Sequence, residues 1–140
     1  MNHLLKPVIQ GEVTGCGIAA TAVLAGAEYQ EVKQVANSKG IYADDESLWS
    51  DTSYVRKLLA EYGIECDPEE KPFTGWQSLP DKALLAIKWR RVDGMPFWHW
   101  VVFGRQDGKE AVFDSKNGLK TNIRTDFGRI KPKWFIEVLV

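Results

Sequence analysis

The 140-residue sequence is poor in the residues that staple or charge a small protein. It has two cysteines, Cys16 and Cys66, and two histidines, His3 and His99. A disulfide framework needs more cysteines at closer spacing. A zinc site needs four clustered Cys/His ligands, or three with carboxylate help. No cofactor and no metal is therefore expected. The longest apolar stretch, Ile18 to Ala27, is broken by Thr21 and Gly26 and falls far short of a membrane span. The first ten residues have no apolar core and no cleavage pattern of a signal peptide. There is no repeat, no low-complexity tract and no Gly-x4-Gly-Lys phosphate loop. The 18 basic and 19 acidic residues leave a net charge of −1, which excludes a polycation built to coat nucleic acid or anionic membrane. The expectation is a cytoplasmic protein with free thiols, no nucleic-acid partner and no membrane segment.

What is present is an ordinary globular balance, 44% hydrophobic and 26% charged. The length suits one domain over residues 1–140. The charge is unevenly spread. Residues 1–70 carry 5 basic and 12 acidic side chains, and residues 71–140 carry 13 and 7, so the halves are −7 and +6. The expectation is that two oppositely charged subregions pack together.

The local patterns also change between the halves. Cys16 to Gly26 is Ala-rich and almost without polar residues, which predicts a helix buried on most sides and stopped by Gly26. A second helix is predicted from Glu28 to about Ser38. A third follows Ser50 and Asp51, with Tyr54, Val55, Leu58, Leu59 and Tyr62 on one face. After Gly75 the pattern is of strands: Ala83 to Trp89, Phe97 to Phe103, Glu110 to Phe113 and Trp134 to Val140. Asp107-Gly108 marks a hairpin turn. Helices followed by an antiparallel sheet mean α+β. Trp98, Trp100 and Trp89 are expected to pack the sheet.

Few residues carry chemistry. Cys16 opens the buried helix, where the macrodipole and unpaired N–H groups favour thiolate over thiol. A packed core cysteine is the competing reading. Gly15 and Gly17 flank it and would leave room beside the sulfur for a substrate backbone. His99 lies in the strand Phe97–Phe103, on the face opposite Trp98 and Trp100 by alternation. It is the one credible general base, because His3 lies in the N-terminal segment. Asp114 ends the next strand and can reach His99 across the hairpin to fix its tautomer. Gln10, six residues before Cys16, can join the Cys16 N–H in an oxyanion hole. Trp49 and Trp76 sit in loops and are candidates, with Trp98, for lining a peptide groove. Cys66 reads as a packed or edge cysteine, and Asp44-Asp45-Glu46 as a solvated loop.

Taken together, these residues stand in a recognisable order. Gln10-Gly-Glu-Val-Thr-Gly-Cys16-Gly-Ile-Ala-Ala, then Trp98-His99-Trp100-Val101-Val102, then Val112-Phe113-Asp114, resemble the papain-like cysteine peptidases. The chain is most similar to the branch that trims double-glycine leaders from bacteriocin precursors, and to that branch's stand-alone relatives. Position 15 is Gly, where members often carry Asp. The resemblance implies a papain-like fold, with helices around the Cys helix packed on a C-terminal antiparallel sheet. It implies Cys16 as nucleophile, His99 as base, Asp114 as its orienter and Gln10 as oxyanion donor, acting on a peptide or protein substrate without a cofactor. The same apparatus serves a deamidase, a cell-wall amidase or an acyltransferase, and the fold also serves a non-catalytic peptide-binding module. The substrate and the oligomeric state stay open.

Overall fold

The computed structural model describes residues 5–12, 14–48 and 50–139. His3, Trp49 and Val140 lie outside the described residues.

Three α-helices come first. Helix α1 runs Cys16–Ala25, α2 Tyr29–Ser38 and α3 Ser53–Glu61. In α1 every residue from Gly17 to Leu24 is buried. Its small Ala side chains let neighbours approach on all sides, and Gly26 ends it in the left-handed conformation, φ 69°. Helices α2 and α3 are amphipathic instead. They bury Tyr29, Val32 and Ala36, and Tyr54, Val55, Leu58 and Leu59, at helical spacing.

Seven strands follow: β1 Glu65–Cys66, β2 Lys71–Pro72, β3 Lys82–Val92, β4 Met95–Gln106, β5 Lys109–Phe113, β6 Ile123–Arg124 and β7 Trp134–Leu139. They form one sheet in the order β1-β7-β3-β4-β5-β6, with β2 also on β7, and every pairing is antiparallel. The expected Asp107-Gly108 turn joins β4 to β5 with both residues at positive φ, as a tight hairpin requires. A second Asp-Gly pair, Asp93-Gly94, makes the same kind of turn between β3 and β4. It lengthens both strands well past the expected Ala83–Trp89 and Phe97–Phe103.

The sheet is buried on both faces. Leu84, Trp100, Val102, Phe113 and Ile136 pack against the helices. Leu85, Ile87, Val101, Phe103, Val112 and Phe135 face the other way and are covered by Leu79 and Ile130, with Phe73, Trp76 and Phe127 packed against them. The alternation expected in β4 is therefore observed. Trp98, Trp100 and Trp134 meet edge to face, with ring centroids 5.0–5.7 Å apart.

One expectation needs correction. Trp89 is not a sheet-packing residue: the Arg91 guanidinium and the Lys133 ammonium lie 5.6 and 4.9 Å from its ring. The two charged halves pack together as expected, but through apolar surface rather than by pairing their charges. Among the described residues one ion pair crosses between them, Lys71 with Asp67, four residues apart in the chain. The helix–sheet junction is apolar, so it offers the charges no place to meet.

Because the face turned away from the helices is also sealed, Leu85→Ala should cost about 2–5 kcal/mol, the range for a fully buried leucine. Urea unfolding measures it. A cost below about 1 kcal/mol would mean that this second core does not exist.

Candidate active site

The register of the hairpin assembles the site. Phe113 pairs with Val102, so Asp114, next in the chain, comes level with Val101. Val101 and His99 share a face by alternation, which puts Asp114 diagonally across from the imidazole. His99 Nε2 lies 2.8 Å from Asp114 Oδ1. That contact leaves Nδ1 for the other hydrogen-bond partner of the ring, the Cys16 thiol. Cys16 is half-buried at the first turn of α1.

Asp114 is 1% exposed and every oxygen of its carboxylate is used. The Lys116 backbone N–H donates to Oδ1 at 3.1 Å, and Arg124 Nη1 donates to Oδ2 at 3.0 Å. Burial disfavours the carboxylate charge, but the bonds from His99, Lys116 and Arg124 outweigh it and hold the pKa down at about 2. The opposite balance holds for His99. Burial disfavours the imidazolium, and the bonds to Asp114 and Cys16 more than reverse this, lifting the pKa to about 9. The ring is therefore cationic at neutral pH.

Gln10 is buried and fixed at both ends. Ser115 Oγ donates to its Oε1 at 2.7 Å, and its Nε2 donates to the Glu12 carbonyl at 2.9 Å. Its backbone N–H donates to the Ser115 carbonyl at 2.9 Å. The Glu12 carbonyl assigns the amide, because a carbonyl only accepts and must face the nitrogen, whereas the Ser115 hydroxyl could meet either atom. Gln10, Cys16 and His99 line one cleft of about 400 Å³, with Tyr54, Trp98 and Lys88 among its other walls.

The structure thus brings Gln10, Cys16, His99, Asp114 and Trp98 together. It does not bring Trp76 to them. That ring packs on Phe73, Phe103 and Phe127 under the opposite face of the sheet, and its carbonyl accepts a bond from Arg105. The two glycines also do something other than expected. A Cβ on Gly15 would fall 2.1 Å from the Tyr29 hydroxyl, and one on Gly17 would fall 2.3 Å from the Tyr54 hydroxyl. The room beside Cys16 is filled by two buried tyrosines rather than kept for a substrate. Tyr29 donates to the Glu12 carboxylate, which Lys33 also binds. Arg124 and Tyr29 escaped the sequence reading, Tyr54 was expected only on the apolar face of the third helix, and the bond of Ser115 to Gln10 was not foreseen. Ser115 had a signal, since it directly follows an acid at a strand end. Arg124 had none beyond its place in a two-residue return strand. Cys66 sits in β1, half-buried, and burial pushes its thiol pKa up. Among the described residues no group of three or more His, Cys, Asp or Glu is placed to hold a metal ion. No described helix is long and apolar enough to cross a membrane.

No protein-family model matches the sequence, and no curated protein matches it. Among solved structures, the chain is similar to the crystal structure of a double glycine motif protease from an AMS/PCAT transporter in complex with the leader peptide. The TM-score is 0.60 at 19% identity, over 96% of this chain and 91% of that one. The neighbour is a protease of the branch that the sequence motifs resemble, and the likeness shows a shared α+β, papain-like fold.

The His99 pair should be visible in stability. Its folded pKa is raised from about 6.5 to about 9, so its stabilisation is complete below pH 6.5 and is lost as pH rises through 9. Asp114 is lowered from 3.8 to about 2, so its share is complete above pH 3.8 and is lost as pH falls through 2. Between pH 6.5 and 9.5 the wild type should lose about 3 kcal/mol in urea unfolding that His99→Ala does not lose. Parallel pH curves would refute the pairing. Separately, Gly17→Ala should cost about 1–3 kcal/mol by overpacking against Tyr54, read as a lowered Tm, and Tyr54→Phe should restore part of it.

Proposed function

We propose that the chain is a cysteine peptidase in which Cys16 is the nucleophile, His99 the acid–base partner and Gln10 an oxyanion donor, with Asp114 positioning the histidine. One observation carries this reading. A single imidazole stands between a buried carboxylate and a thiol at the start of a helix, on the wall of a cleft. A core histidine needs one partner to be satisfied, whereas this one bridges two groups with opposite roles.

The chemistry follows from those positions. His99 stands beside Cys16 and carries the proton that the leaving group will need. The sulfur attacks the peptide carbonyl carbon, and the carbonyl electrons move onto oxygen. The Gln10 amide and the Cys16 backbone N–H receive the oxyanion. His99 then gives its proton to the departing amine, and the carbon–nitrogen bond breaks to leave a thioester. Water, deprotonated by the now neutral His99, releases the acid and restores the thiolate. Asp114 keeps Nε2 occupied throughout, so that Nδ1 faces the sulfur. A peptide is the substrate the fold favours, since the structural neighbour was solved holding one.

Iodoacetamide at pH 6 should alkylate Cys16 rapidly and Cys66 slowly, because the Cys66 thiol is held protonated. Cys16→Ala should abolish peptide cleavage, by roughly three orders of magnitude or more. The alkaline limb of kcat/KM should fall near pH 9, where His99 loses its proton, and Asp114→Asn should move that limb to lower pH while leaving residual activity. Equal slow labelling of both thiols would refute the reading.

A further inference from the structure

A second groove adjoins the cleft at one shared residue. Lys88 lines both, and the groove, about 480 Å³, runs on past Arg129, Lys131 and Lys133. Arg90 and Lys116 line the cleft on the same side. None of these six cations forms an ion pair among the described residues, in a chain with 19 acids to offer. The nearby acids are already engaged. Asp114 is buried under His99 and Arg124, and Asp126 takes two bonds from Arg124, at 3.0 and 2.8 Å, while feeling Arg129 more weakly. Arg124 is the one cation of the groove that is neutralised.

Lys88 is also held in place at a cost. It has φ 54°, a left-handed conformation that non-glycine residues seldom adopt. It sits where the β3–β4 register shifts, between Ile87 and Arg90, directly beside the Ile87–His99 pair. A bulge of this kind re-aims a side chain. Here it turns a lysine to the junction of cleft and groove. Burial disfavours its charge, and repulsion from Lys116 and Arg124 adds to this against the partial attraction of Asp114. A site that crowds like charges around two acids already bonded to Arg124 is stabilised by a further anion.

We propose that the groove from Lys88 to Lys133 receives an acidic segment of the peptide substrate adjoining the bond held at Cys16. The proposal rests on the peptidase reading. Adjacency to the cleft is what selects a peptide over a nucleic acid, since a chain whose scissile bond lies at Cys16 leaves the cleft past Lys88.

The test separates the two ideas. Fluorescein-labelled octaglutamate is titrated by anisotropy into the full-length Cys16→Ala protein, beside octaglutamine and a twelve-nucleotide oligo-dT. Octaglutamate should bind at 20 mM NaCl and octaglutamine should not. The Arg129→Gln/Lys131→Gln variant, altered only at exposed positions outside the cleft, should weaken binding about fivefold or more, and so should 300 mM NaCl. In the wild type, octaglutamate should also slow iodoacetamide labelling of Cys16. The proposal is overturned if octaglutamate binds no better than octaglutamine or if the double variant changes nothing. It is equally overturned if oligo-dT binds more tightly, or if bound octaglutamate leaves Cys16 labelling unchanged. Labelling of Cys16 no faster than Cys66 would instead strike the peptidase reading, and the anisotropy arm would still report on the groove.

Discussion

The site depends on one buried charge. Taking a carboxylate out of water costs several kcal/mol unless each oxygen is paired, and Asp114 is 1% exposed. Its partners come from three places: His99 in β4, the Lys116 N–H in the following turn, and Arg124 in β6. These elements must therefore close around it together. Ser115, the next residue, points the other way and clamps Gln10. Two consecutive residues at the end of β5 thus fix the imidazole on one side and the amide on the other. The alternation of an extended chain does this without any further device.

The cysteine is positioned by a different constraint. Helix α1 can sit in the middle of the molecule because its side chains are small, and its first turn can sit against two tyrosines because residues 15 and 17 have no Cβ. The sulfur is thus placed by packing, whereas the imidazole is placed by hydrogen bonds. A methyl group at either glycine has nowhere to go, so packing fixes where the helix sits. The glycines serve this mount, and the open space beside the sulfur lies along the cleft instead.

Much of this was legible in the sequence, and for local reasons. The Ala run, the apolar faces of α2 and α3, the β4 alternation and the Asp107-Gly108 turn are short-range patterns, and each occurs where it was expected. His99 and Asp114 were legible because one hairpin relates them, and a hairpin's register follows from its turn. What escaped was long-range. Ser115 meets Gln10 across 105 positions, and Tyr29 meets Glu12 across 17. No periodicity encodes such contacts. Trp76 and Trp89 were misplaced for a related reason, since an indole in a loop or at a strand end goes wherever the tertiary structure leaves apolar surface or cations. Asp93-Gly94 is different. It carries the same turn signal as Asp107-Gly108 and makes the same turn, so it is as local as the rest.

The near-zero net charge turns out to describe no part of the surface. Ion pairs among the described residues stay almost wholly within each half: Lys33 with Glu12 and Lys39 with Glu61 in the first, Arg105 with Asp81 and Glu110 in the second. An apolar helix–sheet junction cannot cancel charge across itself, because a buried unpaired ion there would cost more than it returned. The surplus of each half is therefore left facing water. On the sheet half it gathers beside the cleft, where the β3 bulge and the chain from Arg129 to Lys133 meet. A protein gains nothing in stability from such crowding, and Lys88 bears an uncommon backbone conformation to join it. Cations placed this way are better accounted for by what they meet in solution than by what they hold together.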